Sequence, residues 1–399
     1  FCIMNNISDV SLKGKKVLIR VDFNVPLDKH FNITDDSRIQ AALPTIKKVI
    51  ASGGRAIIMS HLGRPKNGFE EKFSLKHILM RLSNLLKVKV GFSAECIGGK
   101  TLNDISKMED GGVLVLENLR FYSQEKTGDN EFAKQLAKLG DVYVNDAFGT
   151  AHRAHASTFA IANYFPKNKY FGLLLSTEIN NLEIALKNPK RPFTAIIGGA
   201  KITGKIDVIT SLLDKVDNLI IGGGMAYTFA KAMGGCIGDS LVENDKVALA
   251  KSLITKAKAK GVQLLLPSDS INANEFNNNA IIQHSEITNI PDGFMGLDIG
   301  SDSITRFSKV ILDSKTIIWN GPMGVFEMDN FLNGTKKIGE AICKATKKGA
   351  FSLVGGGDSV AAVKKFGFTK KVSYISTGGG AMLEYLEGKK LPGVIAIQD

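Results

Sequence analysis

Apolar residues fall along this chain in two rhythms. Short runs of β-branched and aliphatic side chains, bounded by glycine or polar turns, predict strands at 17–21, 56–60, 113–116, 142–145, 194–197, 218–221, 263–266, 316–319, 352–354 and 372–375. Between them, residues 74–86, 130–138, 203–213, 243–259, 333–347 and 359–366 carry apolar positions three and four apart, the spacing of helices with one buried face. Strand, turn and helix in repeated succession is the pattern of parallel α/β sheets. About ten strands suit two sheets better than one. The stretch LLLSTEINNLEIALKNPKRP, 173–192, has helical spacing and then a Pro-bounded turn before a new strand, as a helix joining two α/β domains would.

A chain of 399 residues with 44% apolar content is long enough for two cores. No apolar run approaches the ~18 residues of a membrane span. The opening FCIMNNISDVSLKGKK has neither the apolar segment nor the cleavage site of a signal peptide. Met4 offers an alternative start, with Phe1, Cys2 and Ile3 ahead of it. Cys2, Cys96, Cys236 and Cys343 are scattered and form no C-x-x-C pair, so free thiols in a reducing cytoplasm are expected. The net charge of +12 raises the possibility of nucleic acid, but no long basic run appears and the basic residues are not interleaved with aromatics. A lysine-rich soluble surface is the plainer reading. Only nine of the 51 basic residues are arginine, which directs attention to Arg20, Arg38, Arg64, Arg120 and Arg153, all beside strand ends or turns.

Open α/β sheets bind ligands at the carboxyl ends of their strands. In the first half those ends are polar. Asp22 and Asn24 close one strand, His61 and Arg64 a second, Arg120 a third, and His152, Arg153 and His155 follow a fourth, while Arg38 opens a helix after the turn at 34–37. Such a lining suits an anion carrying phosphate and carboxylate, both of which arginine grips bidentately. His152 and His155 lack the partners a zinc site requires, so hydrogen bonding is the expected role. In the second half the strand ends are glycines: Gly198–Gly199, Gly222–Gly224, Gly321, Gly355–Gly357 and Gly378–Gly380. Glycine turns ahead of helices bring backbone amides to phosphate. Lys201 and Lys205, four apart after a glycine turn, would share one face of a helix and reach phosphate together. Asp358 is a puzzle in this setting, since a carboxylate repels phosphate. No G-x-G-x-x-G with its distal acid is present, no G-x-x-x-x-G-K-[ST], and no protein-kinase motif set, which disfavours a nicotinamide dehydrogenase and the commonest phosphate binders.

These residues resemble a known family. KVLIRVDFNVP (16–26), SHLGRP (60–65), LENLRF (116–121), NDAFGTAHRAHAS (145–157), GGAKITGKI (198–206), IGGGMAYTF (221–229), WNGPMGVFE (319–327), GGGDS (355–359) and STGGGAMLEYLEGKKLPGV (376–394) are similar, in order, to segments of the phosphoglycerate kinases. The resemblance covers nearly the whole chain and implies two doubly wound, parallel-sheet, Rossmann-like domains facing across a cleft and joined by a helix. The expected boundaries are 1–171 for a phosphoglycerate-binding domain, 172–190 for the connecting helix and linker, 191–380 for a nucleotide-binding domain, and 381–399 for a segment returning to the first. It implies reversible transfer of the acyl phosphate of 1,3-bisphosphoglycerate to ADP, giving 3-phosphoglycerate and ATP, with Mg2+, in a cytoplasmic monomer that binds neither nucleic acid nor membrane.

By the same resemblance, Asp22, Asn24 and Arg38 hold the glycerate end, and His61, Arg64, Arg120 and Arg153 hold the phosphate that is not transferred. Lys201 and Lys205 take nucleotide phosphates, with Gly199, Ala200, Gly223, Gly224, Asn320, Pro322, Gly355, Gly356, Gly357 and Ser359 around them. Gly296 falls where the family packs adenine, Glu327 matches the ribose acid, and Asp358 the magnesium ligand, which resolves the puzzle of its charge. Ser359 stands where many relatives have threonine, with the hydroxyl kept. Arg38, Lys201 and the amides of Gly356, Gly357, Gly379 and Gly380 are expected to stabilise the transferring group.

Overall fold

The protein is described here by a computed structural model covering residues 5–66 and 68–398. Residues 1–3, matched to nothing in the family, and with them Cys2, lie outside the described residues. The chain forms two compact units. One runs to Asn180 and takes up the chain again from Lys390; the other is Asn181–Lys389. The helix Leu173–Leu186 runs across the division.

The first unit is built on strands β1 (Lys16–Arg20), β2 (Arg55–Met59), β3 (Val90–Ser93), β4 (Val113–Leu116), β5 (Val142–Asn145) and β6 (Lys169–Phe171), in the order β3-β4-β2-β1-β5-β6. Every pairing is parallel, with Ile19 level with Ile58 on one side and Val144 on the other. The central strands are buried along almost their whole length, which is why they read as continuous apolar runs. Ile19, Phe23, Ile46, Ile58 and Val144 belong to the core beneath the helix Ser37–Ala51. The chain leaves β1 toward β2 and later returns to its other side with β5, so the order reverses between β1 and β5. The crevice beyond that reversal is where such a sheet takes a ligand.

The second unit repeats the plan. Strands β7 (Phe193–Ile197), β8 (Asn218–Ile221), β10 (Gln263–Leu265), β15 (Thr316–Asn320), β16 (Phe351–Val354) and β17 (Tyr374–Ile375) form a parallel sheet in the order β10-β8-β7-β15-β16-β17. The reversal lies between β7 and β15, and there the two following turns touch. A Cβ on Gly198 would sit 2.0 Å from the Pro322 carbonyl oxygen, and Gly321 has φ +102° and faces Gly198. Only glycine lets these backbones meet.

All ten runs read as strands form strands, to within two residues at either end. Beyond them the second unit holds an antiparallel sheet, β12-β11-β14, made of β11 (Asp269–Ala273), β12 (Ile282–Glu286) and β14 (Met295–Ile299), and a short parallel pair of β9 (Cys236–Ile237) with β13 (Asn289–Ile290). The predicted helix at 203–213 is also modified: a 3-10 turn, Thr203–Lys205, precedes the helix Ile206–Leu212. Gly204 at the joint is a poor helix former, and the Glu243 carboxylate accepts from the amides of Ile202 and Thr203, which tightens the entry.

Candidate functional site

In the first unit the site grows from the end of β1. Phe23 N donates to Ser60 Oγ at 2.8 Å and Val21 N to the Met59 carbonyl at 3.0 Å, so the chain after β1 stays fastened to the chain after β2. That presents Asp22 and Asn24. Arg38, at the start of the helix Ser37–Ala51, reaches both: its Nη1 donates to Asp22 Oδ1 at 3.3 Å and to the Asn24 carbonyl at 2.8 Å. Asn24 Oδ1 accepts from Gly63 N at 2.8 Å, and the Gly63 carbonyl accepts from Arg120 Nη1 at 2.8 Å. Asp22, Asn24, Arg38 and Arg120 are thus linked through the Gly63 backbone, and His61 Nδ1 lies beside them, 3.4 Å from Arg20 Nη2.

The electrostatics here are unusual. Burial alone would raise the Asp22 carboxyl, but the Arg38 and Arg20 guanidiniums and the Asn24 amide together hold it below the usual carboxylate range. His61 is buried, and burial followed by the nearby guanidiniums lowers it well below the usual imidazole range despite the opposing pull of Asp22. Its Nδ1 lies 4.0 Å from Asp22, but a neutral ring makes no ion pair there. Burial and then Arg20 bring Arg120 down to about 10. Arg120 Nε is buried without a hydrogen-bond partner. Arg20 is wholly enclosed, donating from Nε to Ser157 Oγ at 2.8 Å, and Ser157 donates in turn to the buried Glu125 at 2.6 Å. Arg20 therefore supports the positive potential from within. Arg64 and Arg153 are exposed, and their charges act on Arg120 and His155 respectively. His155 is lowered to about 4, first by burial and then by Arg20. So many guanidiniums against two carboxylates, Asp22 and the buried Glu125, and a buried guanidine N–H without a partner, suit an anion with more than one negative charge.

In the second unit two adjoining cavities share Gly199, Ala200 and Asp358. The smaller, about 340 Å3, is lined by Lys201, Lys205, Asn320, Gly356, Gly357, Ser359, Gly379 and Gly380 besides those three. The helices Gly357–Lys365 and Gly379–Leu386 both begin on it, so their first amides face its interior. Lys201 and Lys205 do meet at this cavity, but not as neighbours on a helix: Lys201 precedes the 3-10 turn that ends in Lys205. Lys205 is half-buried and hydrogen-bonded to Asn320 Oδ1. Burial lowers its ammonium, with Asp358 pulling the other way. The Ser359 hydroxyl accepts from Gly321 N, a role either serine or threonine can fill.

The larger cavity, about 490 Å3, carries Gly223, Gly224, Gly296, Pro322 and Glu327. Of the residues assigned to the nucleotide, Gly355 lines neither cavity. It is buried beneath them, its carbonyl taking the Asn320 side-chain amide at 2.9 Å and its α-carbon pressed against Met382. Tyr227, Leu241, Phe276, Met295, Leu297 and Asp239 also line the larger cavity and were not singled out from the sequence. Phe276 alone gave a signal, as an aromatic stranded in the polar stretch NANEFNNN.

Among the described residues no group of three or more His, Cys, Asp or Glu side chains could hold a metal. Asp358 nevertheless fits Mg2+, which keeps most of its shell as water and substrate phosphate and needs only one or two carboxylates from protein. It stands where the cavities join, beside the free helix-terminal amides that would take phosphate oxygens.

A family model described as phosphoglycerate kinase matches residues 7–389. A phosphoglycerate kinase of Porphyromonas gingivalis is 55% identical, covering 98% of this chain and 99% of that protein. A cytosolic phosphoglycerate kinase of Nicotiana tabacum is 54% identical over 99% of this chain and 98% of its own length. The solved structure of phosphoglycerate kinase from Coxiella burnetii superposes with a TM-score of 0.89 at 42% identity, covering 98% of both chains.

Proposed function

The chain belongs to the phosphoglycerate kinase family, and from that premise we propose that it transfers the acyl phosphate of 1,3-bisphosphoglycerate to ADP, and the reverse. On this reading the first unit is the phosphoglycerate-binding domain and the second the nucleotide-binding domain. The observation that carries it is the pairing of a guanidinium-rich pocket on one sheet with amide-lined phosphate cavities on the other, each at its sheet's reversal point.

Arg120, Arg64, Arg153 and His61 hold the phosphate that stays on the glycerate, while Asp22 and Asn24 orient the hydroxyl and carboxyl end. The transferring group comes under Arg38 from one unit and Lys201 from the other. The amides of Gly356, Gly357, Gly379 and Gly380 supply further donors to its equatorial oxygens. A β-phosphate oxygen of ADP forms the new P–O bond as the bond from phosphorus to the acyl oxygen breaks. The carboxylate of 3-phosphoglycerate leaves with the electron pair. No proton moves, which accounts for a site whose histidines are held neutral and which offers no general base. Asp358 would hold the Mg2+ that arrives with the nucleotide, whose charge screens the phosphate oxygens from one another and from the carboxylate. Gly296 floors the adenine site and Glu327 meets the ribose.

Turnover then requires the groups of both units on one phosphoryl group. A domain movement supplies this, with the helix Leu173–Leu186 and the turn at 377–380 as hinges, and it excludes water that would hydrolyse the acyl phosphate. The protein acts as a monomer. A cytoplasmic place is supported by plant relatives named as cytosolic. The test is Asp358→Ala. It is expected to weaken use of the magnesium–nucleotide complex by at least tenfold and to leave the Kd for 3-phosphoglycerate unchanged; equal losses on both substrates would overturn the assignment.

A further inference from the structure

Five charged side chains line the two cavities of the second unit: Lys201, Lys205, Glu327, Asp358 and Asp239. The first four are accounted for by phosphate, ribose and metal. Asp239 lies in the larger cavity with Gly296, the adenine floor, and has no such role.

Its backbone is fixed against that floor. Asp239 N donates to the Phe294 carbonyl at 2.8 Å, and Ser240 N to the Ile237 carbonyl at 3.1 Å. The Ser240 hydroxyl accepts from Gly296 N at 2.9 Å. Just before it, Gly238 has φ +50°, and a Cβ there would meet the Phe294 and Pro291 carbonyl oxygens at 2.3 and 2.4 Å. The turn carrying Asp239 is therefore pressed onto the segment that ends in Gly296. The carboxylate itself is exposed and has no hydrogen bond or ion pair among the described residues.

The neighbouring side chains offer a base edge little polarity. Leu241, Phe276, Met295 and Leu297 are apolar, and the Tyr227 hydroxyl is engaged with Ser270 Oγ at 3.0 Å. Gly296 N is taken by Ser240. An ionised carboxylate accepts hydrogen bonds and cannot donate one. Beside a purine it stabilises an exocyclic amino group and repels a carbonyl oxygen in the same place. We propose that Asp239 is a base-selecting residue, accepting a hydrogen bond from the 6-amino group of adenine and so disfavouring 6-oxo purine nucleotides. The proposal rests on the nucleotide reading of this cavity.

A second effect of the same charge would be plain repulsion of the polyphosphate, which acts equally on every nucleotide. The ratio between two nucleotides separates the effects. Inosine nucleotides are the probe, since they differ from adenine nucleotides only in the 6-oxo group and the accompanying N1 proton. With 3-phosphoglycerate saturating, KM is measured for ATP and ITP in the full-length protein, in Asp239→Asn and in Asp239→Ser. Calorimetric Kd values for ADP and IDP give the same ratio without turnover. Wild type is expected to favour adenine by about tenfold, the order of one charge-assisted hydrogen bond near solvent, and both variants to fall to about twofold or less. A ratio unchanged in both variants, or ATP and ITP equal in wild type, overturns the proposal. So does a parallel fall in both KM values, which marks repulsion alone. Absence of turnover with the Kd ratio intact would count against the kinase reading and leave base selection standing.

Discussion

Replacing Arg38 with alanine is expected to lower turnover about 10^3-fold. Its Nη1 is held by two acceptors, Asp22 Oδ1 at 3.3 Å and the Asn24 carbonyl at 2.8 Å. Nη2 and Nε have no hydrogen-bond partner among the described residues, so the guanidinium is pinned at one corner and presents the rest of its fork. An arginine placed on the transition-state charge of a phosphoryl group contributes about 10^3 to 10^5 in rate. The lower end applies here because the side chain is 37% exposed and its charge is partly screened. Arg38→Lys keeps the charge but loses the planar fork, and a loss of about 10^2 is expected. Asp22→Asn removes the negative charge facing Arg38 but keeps an amide oxygen that can accept, and the shorter bond to the Asn24 carbonyl remains, so its loss through Arg38 orientation should be smaller than that of Arg38→Ala. The assay couples 3-phosphoglycerate phosphorylation to reductive consumption of the product at saturating substrates, with circular dichroism and thermal unfolding to establish folding. A folded Arg38→Ala protein that loses less than tenfold in kcat would refute the role.

Arg120→Ala is expected to weaken 3-phosphoglycerate binding by tenfold or more, the order of one lost charge-assisted hydrogen bond, with the nucleotide Kd unmoved; calorimetry on each substrate separately checks it. Gly296→Ala places a Cβ 2.1 Å from the Tyr227 hydroxyl, so the nucleotide KM should rise by at least tenfold with little change for 3-phosphoglycerate, as steady-state kinetics will show. Asp146 is buried and its carboxyl is pushed up to about 7, first by desolvation, against the hydrogen bonds it takes from Leu174 and Leu175 N. Its folded value lies above the unfolded one of 3.8, so its favourable contribution is complete below pH 3.8 and lost as pH rises to about 7, a difference of about 4 kcal/mol at most. Urea titrations at pH 5 and 8 should therefore show Asp146→Asn gaining on wild type at the higher pH; a gap independent of pH would contradict this.

The two parallel sheets were legible because buried parallel strands are apolar on both faces and leave continuous runs, as at Phe193–Ile197 and Val142–Asn145. The antiparallel sheet was not. β12 reads IQHSE and is exposed along most of its length, so no apolar run or alternation marks it. The helix Met225–Ala232 was missed for the opposite reason, since Met225 through Ala230 are all buried and no polar face sets a period. The charged and glycine-rich strand ends could be found because their chemistry is local to one turn. The rest of the larger cavity's lining could not: Tyr227, Leu241, Phe276 and Met295 come from four separate segments and are ordinary core-type residues until the fold collects them. Lys201 and Lys205 show the intermediate case. Both line the same cavity, but not from one helix face, because a 3-10 turn held by Glu243 leads into Lys205.

The most direct measurement is a coupled assay of ATP-dependent phosphorylation of 3-phosphoglycerate by the purified full-length protein, run with Mg2+ and again with the metal chelated. Turnover with both substrates present, and its collapse when Mg2+ is withdrawn, is the expected result. Well-folded protein that binds ATP yet phosphorylates no 3-phosphoglycerate in the presence of Mg2+ would contradict it.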